Sequence, residues 1–294
     1  MKIAIYGQSV DEISKNIFLE LLNIGDSQDI IFFIEKKYNL ILLKKSKITH
    51  SHKLFSSYND LDDTIDLMVT IGGDGTLLRS ITYVRDLGIP IVGINTGRLG
   101  FLATLNQKLL NIELKKILNG EFDLEERSLL EVNIDNNDDF SDFNFALNEV
   151  SVGRKNTTSM IEIKTILDGE YLNTYWADGL IVSTPTGSTG YSLSCGGPIM
   201  TPSSKTFSIT PIAPHNLNAR PLVISDEINI ELSVEGREKS HLLSLDSRIN
   251  SLKNNVKIKI KKADYTIKLV SFKNNSFYKT LRSKLLWGED RRNI

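Results

Sequence analysis

Residues 70–80 read TIGGDGTLLRS. The apolar run DLMVTI (66–71) leads in as a buried strand. The run TLLRSITYVRDL (76–87) leads out as a helix, with Leu77, Ile81, Val84 and Leu87 on one face. Gly88 is placed to close that helix, Pro90 stands just beyond, and PIVGI (90–94) reads as the next strand. Strand, glycine turn, helix and strand make a βαβ unit and imply a parallel sheet.

The elements around this unit extend the pattern. KIAIY (2–6) reads as a strand ending at Gly7, and Val10, Ile13, Ile17 and Leu21 recur at helical spacing. YNLILL (38–43) reads as a β or buried segment. The expected fold class is an α/β N-terminal domain with a Rossmann-like parallel sheet over residues 1–122. From residue 123 the texture changes to short alternating runs separated by turns: LLEVNI, FALNEVSV, MIEIKTIL, INIELSV, VKIKIKK and YTIKLV. Such runs predict a β-rich second domain over 123–275. Helical spacing resumes in SFYKTLRSKLL (276–286) through Phe277, Leu281 and Leu285, so 276–294 reads as a tail returning to the first domain.

Bulk composition narrows the class. The chain has 294 residues, 40% hydrophobic and 24% charged, with a formal net charge of −1. That balance attracts neither nucleic acid nor an anionic membrane surface. A single cysteine, Cys195, excludes an internal disulfide framework and fits a reducing compartment. MKIAIYGQSV carries no long apolar signal segment, and no apolar run approaches the ~20 residues of a membrane span. A cytoplasmic location is expected. His50 and His52 lack nearby cysteines or paired carboxylates and read as solvated rather than metal-bound. The acid-rich stretch DNNDDFSD (135–142) fails as a calcium loop, because Phe140 and Ala146 stand where Gly and Glu are required.

The glycine turn carries chemistry. Gly72 and Gly73 permit a sharp turn and close approach to a ligand, and amides heading the next helix can bind phosphate oxygens. It is neither a dinucleotide fingerprint, since Leu78 stands where GxGxxG counted from Gly73 needs glycine, nor a P-loop, since no GK[ST] follows. Asp74 therefore needs its own account. A carboxylate there can help hold Mg²⁺, can take the proton of an attacking hydroxyl, or can cap the helix beginning near Thr76. Glycines on both sides favour a functional role, because a plain cap has no use for close backbone approach.

Three other stretches join it. DGLIVSTPTGSTGYSLSCGG (178–197) offers many hydroxyls for sugar and phosphate, and Tyr191 offers a stacking face. Asn148–Glu149 pairs an amide with a carboxyl able to read an adenine edge and a ribose hydroxyl. GINTGRLGFL (93–102) adds a glycine turn after a strand, with Phe101 as a pocket wall.

Together GGDGT (72–76), NTGRLGFL (95–102), NE (148–149), DGLIVSTPTGSTGYSLSCGGPI (178–199), PIAPHNLNARPL (211–222) and SLD (244–246) resemble the NAD kinases of the ATP-NAD, prokaryotic type. The resemblance spans most of the chain. It implies an α/β domain followed by a sandwich-like β domain, with a C-terminal tail packing on the first. It implies transfer of the γ-phosphoryl group of ATP, or of polyphosphate in some relatives, to the 2′-hydroxyl of the adenosine ribose of NAD, a divalent cation such as Mg²⁺, and a homodimer or homotetramer. By motif, Asp74 is the expected base and Gly75 its backbone partner at the ribose. Asn148, Glu149 and Asp178 are expected NAD contacts. Thr189, Gly190, Tyr191, Ser192, Leu193 and Ser194 are expected to wrap the dinucleotide, and Ala213 to contribute backbone. Arg79 reads either as a charge near the ligand or as a solvent-facing helix residue. The chain departs from the family at Gly190, where alanine is common, which enlarges the pocket slightly. It departs again at Arg248, where glutamine is usual; an arginine there could instead approach a substrate phosphate. Other readings are a lipid or sugar kinase on a related scaffold, which a more apolar 178–197 stretch would have favoured, and a non-catalytic dinucleotide-binding regulator, against which the intact Asp74 argues.

Overall fold

A computed structural model of the chain describes residues 1–26, 28–45, 52–97, 100–106, 110–135, 143–156, 159–216, 218–272 and 276–286. His50 and Arg98–Leu99, together with most of the 135–142 stretch, lie outside the described residues. The chain divides into two compact units, residues 1–126 with 267–294, and residues 127–266.

The first unit opens with β1 (Lys2–Gly7), α1 (Glu12–Asp26), β2 (Ile31–Glu35) and α2 (Lys36–Lys45). It continues with β3 (Lys53–Phe55), β4 (Leu67–Ile71), α3 (Asp74–Val84), β5 (Ile91–Asn95), the two-residue β6 (Leu105–Asn106) and α4 (Leu110–Leu118). Its strands are parallel in the order β5-β4-β1-β2-β3, with β6 beside β5. The register sets Ile5 beside Val69 and Val69 beside Val92. β4 and β5 are buried along their whole length, which is why they read as unbroken apolar runs.

Two expectations are corrected here. YNLILL lies in α2, not in a strand. Tyr38 and Leu42, one helical turn apart, are fully buried, and the Tyr38 ring meets Phe18 edge-on at 6.3 Å. The Glu35 carboxylate accepts the Tyr38 N–H at 2.7 Å, which starts the helix. α3 is also shifted: it begins at Asp74 and ends at Val84, because Arg85 takes φ 44° there and Gly88 (φ 70°) falls in the turn beyond.

The second unit is antiparallel. It contains most of β7 (Asp123–Ile134), then β8 (Phe145–Ala146), β9 (Glu149–Gly153), β10 (Ile161–Leu167), β11 (Glu170–Ala177) and β12 (Gly179–Ser183). After a short helix α5 (Tyr191–Ser194) come β13 (Thr206–Ile212), β14 (Leu222–Ser225), β15 (Ile230–Glu235), β16 (Ser240–Leu245), β17 (Arg248–Lys253) and β18 (Lys257–Ser271). One layer runs β14-β13-β12-β9-β16-β17, and the other places β10 between β11 and β15, with β18 beside β15. Alternating residues of both layers, among them Val150, Val152, Ile163, Phe207, Leu243 and Ile258, fill a common core.

The end of β18 returns to the first unit, where Leu269 pairs in parallel with Ile91. α6 (Phe277–Leu285) follows, its first turn capped by the Ser276 hydroxyl, which accepts the Lys279 N–H at 3.2 Å. The Phe277 ring lies 6.2 Å from Phe101, so α6 packs within the first unit.

Candidate active site

In the first unit the turn between β4 and α3 is fixed by Gly72. Its φ of 153° and a gap of 2.3 Å from its missing Cβ to Thr76 Oγ1 leave no room for a side chain. Gly73 and Gly75 differ: a Cβ on either would meet nothing within 4 Å. The fold does not need glycine at those two positions, and both are exposed. Asp74 is the first residue of α3 and does not cap it; Gly73 occupies the cap position with no side-chain bond. The Asp74 carboxylate instead accepts the backbone N–H of Phe101 on Oδ2 at 2.8 Å, and those of Leu102 and Ala103 on Oδ1 at 3.1 and 2.9 Å. Arg79 is exposed on α3. Its charge opposes the upward push that burial exerts on the Tyr6 phenol at the end of β1.

In the second unit Glu149 opens β9 and Asn148 stands just before it. Asn148 Oδ1 and Glu149 Oε2 are buried and have no hydrogen-bond partner. The backbone here rests on Asp246, whose Oδ1 accepts the N–H of Asn148 at 2.8 Å and of Glu149 at 3.2 Å, and whose Oδ2 accepts that of Leu147 at 3.0 Å. Burial, and then the nearby Asp246 carboxyl, pushes Glu149 up to about 8, against the opposing N–H of Tyr191. A carboxyl protonated at neutral pH can donate one hydrogen bond as well as accept others, and Asn148 beside it does both. Burial likewise drives the Asp246 carboxyl upward, opposed by Arg248 and the three N–H donors.

The hydroxyl-rich stretch is used mostly for its own architecture, which corrects the expectation of many free hydroxyls. Thr184 Oγ1 donates to Leu147 O at 2.6 Å, Ser188 Oγ donates to Pro185 O at 2.6 Å, and Ser192 Oγ pairs with Thr210 Oγ1 at 3.0 Å. All three residues are fully buried. Thr189 Oγ1 bonds Thr186 O at 3.3 Å. Tyr191 remains 46% exposed, Ser194 is exposed and Leu193 half-buried. A Cβ on Gly190 would lie 3.2 Å from Glu149 Oε2, so the space this glycine leaves adjoins that carboxyl. Asp178 pairs with Arg154 at 2.9 Å. Ala213 is exposed with φ 44°, a left-handed backbone unusual outside glycine.

Arg248 donates to three backbone carbonyls of its own unit. Its Nε donates to Leu245 O at 3.2 Å, Nη1 to Phe143 O at 3.0 Å and Nη2 to Phe145 O, while the guanidinium sits 5.0 Å from the centre of the Phe145 ring. It ties the short strand β8 to the start of β17. Asp246, Arg154, Gly187 and Gly100 were not singled out from sequence. Gly100, Gly187 and Asp246 carried a signal as members of NTGRLGFL, the 178–199 stretch and SLD, and Asp246 takes φ 52°.

No group of three or more His, Cys, Asp or Glu side chains among the described residues could hold a metal ion, and no helix there is long and apolar enough to cross a membrane.

Comparison with known proteins agrees with this layout. Residues 29–122 match the ATP-NAD kinase N-terminal domain and residues 147–272 the ATP-NAD kinase C-terminal domain. The chain is 51% identical to an NAD kinase of Flavobacterium johnsoniae and 53% identical to one of Christiangramia forsetii, each over 294 residues and the whole of both chains. Among solved structures, a yeast NADH kinase complexed with NADH superposes with a TM-score of 0.88 at 22% identity, over 100% of this chain and 89% of that one. An NAD kinase from Archaeoglobus fulgidus in complex with ATP superposes with a TM-score of 0.75 at 28% identity, over 97% of this chain and 99% of that one. With both family domains matched in order and full-length relatives above half identity, the chain belongs to the NAD kinase family.

Proposed function

We propose that Asp74 is the general base of the reaction and that Asn148, Glu149, Asp178, Tyr191 and Ala213 hold the dinucleotide. The protein phosphorylates NAD with ATP as donor. The observation that carries the base assignment is the glycine pair around Asp74: neither Gly73 nor Gly75 is required by internal packing, so their small size serves something arriving from outside. In this reading the 2′-hydroxyl of the adenosine ribose gives its proton to Asp74. Its oxygen forms the new bond to the γ-phosphorus, and the bond to the β–γ bridging oxygen breaks with its electron pair leaving on ADP. The amides at the head of α3 and Gly75 receive phosphate or ribose oxygens. Positioning and charge stabilisation supply most of the acceleration.

The buried, unpartnered Asn148 Oδ1 and Glu149 Oε2 support the dinucleotide site, since buried polar atoms are ordinarily satisfied. With no converging set of acidic side chains among the described residues, the divalent cation is read as part of the substrate, carried on the phosphates of ATP, where it offsets their charge. A homo-oligomer is inferred from the resemblance to the family, and sedimentation tests it.

Purified protein incubated with NAD, ATP and Mg²⁺ is expected to yield NADP. Asp74→Asn is expected to lower turnover by ~10²–10⁴ while leaving the affinity for NAD within a few-fold. Near-parental turnover in that variant removes the base assignment.

A further inference from the structure

We propose that Gly100 and the backbone N–H groups of Phe101, Leu102 and Ala103 are positioning elements for Asp74, and that they single out Oδ2 as the oxygen that receives the proton. The inference rests on the base assignment above. A carboxylate has about four in-plane acceptor positions, two on each oxygen. Oδ1 spends both on Leu102 and Ala103, and Oδ2 spends one on Phe101. One position remains, on Oδ2. The carboxylate is thus held against rotation by three donors from a segment 27–29 residues away, with one acceptor position left for a hydroxyl.

The segment is built to make this contact. Gly100 has no room for a side chain: a Cβ would lie 1.8 Å from Asp74 Oδ1, 2.4 Å from its carboxyl carbon and 2.7 Å from Oδ2. Upstream, Gly93 in β5 lets the backbone of Ala103 lie against the strand, since a Cβ there would fall 2.7 Å from Ala103 Cα. The buried Asn95 side chain spans the turn: Oδ1 accepts the Gly97 N–H at 2.7 Å and Nδ2 donates to Ala103 O at 3.4 Å. Two glycines and an asparagine therefore seat the row of amides, and the amides seat the acid. Because real Cβ contacts are not shorter than 3.0 Å, Gly100→Ala must displace the carboxylate by about 1 Å or more. A displacement of that size can cost about 10²-fold in rate.

The test uses three variants of the full chain: Asp74→Asn, Gly100→Ala, and Phe101 replaced by its α-hydroxy acid, which keeps the ring and removes only the N–H donor. Steady-state kinetics are read beside dinucleotide titration and thermal melting. Gly100→Ala is expected to lower kcat about 10²-fold with NAD affinity within about three-fold, and the Phe101 ester to lower kcat about tenfold. If Gly100→Ala does not fold, the ester decides. A folded ester or Gly100→Ala variant with parental kcat, beside an inactive Asp74→Asn, overturns the positioning role and leaves the base assignment standing. Parental turnover in Asp74→Asn overturns the base assignment itself.

Discussion

Asp246 and Glu149 hold each other by two hydrogen bonds: an Asp246 carboxylate oxygen accepts the Glu149 N–H at 3.2 Å, and Glu149 O accepts the Asp246 N–H at 2.9 Å. The Asp246 side chain is 3% exposed. It sits at φ 52°, a conformation asparagine adopts readily, so Asp246→Asn changes the acceptor set without straining the backbone. One amide oxygen cannot replace both carboxylate oxygens, and the new NH₂ faces a donor. The expected loss is about 1–3 kcal/mol, seen as a lower melting temperature. KM for NAD is expected to rise more than kcat falls, because residues 147–149 lose their support. Equal melting temperatures would remove Asp246 from this role.

Glu149 links stability to pH. Its carboxyl is raised to about 8 by burial first and Asp246 second, while an unfolded chain releases the proton near 4.5. Between those values the folded state binds more protons than the unfolded state, so this group's contribution to stability falls as pH rises. Glu149→Gln mimics the protonated form. Its melting temperature relative to the parent is expected to climb from pH 5 to pH 8; a constant difference across that range contradicts the assignment.

Gly187 gives β9 its starting point. A Cβ there would lie 2.1 Å from Asn148 O and 2.4 Å from the Asn148 carbonyl carbon, both backbone atoms that a rotamer change cannot move. Gly187→Ala is expected to destabilise by about 1–3 kcal/mol, the usual range for overpacking, and to weaken NAD binding. Gly190→Ala, with nearest contacts at 3.2 Å, is expected to be much milder. Calorimetry and dinucleotide titration of both variants check the order, and Gly190→Ala being the more damaging would refute it.

His241 adds an acid limb. It is fully buried in β16, its Nδ1 pairs with Asn254 Oδ1 at 3.2 Å, and Nε2 has no hydrogen-bond partner. Burial holds its pKa below the ordinary 6.5, against the Asn254 bond. The unfolded chain therefore takes up a proton first as pH falls through 6.5, and stability drops with it. Replacing the residue in His241→Leu is expected to flatten the fall in melting temperature below pH 6.5; an unchanged slope assigns the limb to other groups.

The sequence by itself determined what neighbouring residues decide. The DLMVTI strand, the Gly72 turn and the apolar face of α3 lie within one βαβ unit, and their periodicities and turn chemistry are local. The alternating strands of the second unit were readable for the same reason. Only the tertiary structure decided the rest. YNLILL is too short an apolar run to distinguish helix from strand, and the burial of Tyr38 and Leu42 one turn apart settles it. The flanking glycines marked Asp74 in the sequence, but not the 101–103 amides that close on it, nor the carbonyls of Phe143, Phe145 and Leu245 that take donors of Arg248. Asp246 reaches Leu147 across 99 residues of chain. Such partners are chosen by which strands pack side by side, and a side chain's chemistry follows from the groups that packing brings to it.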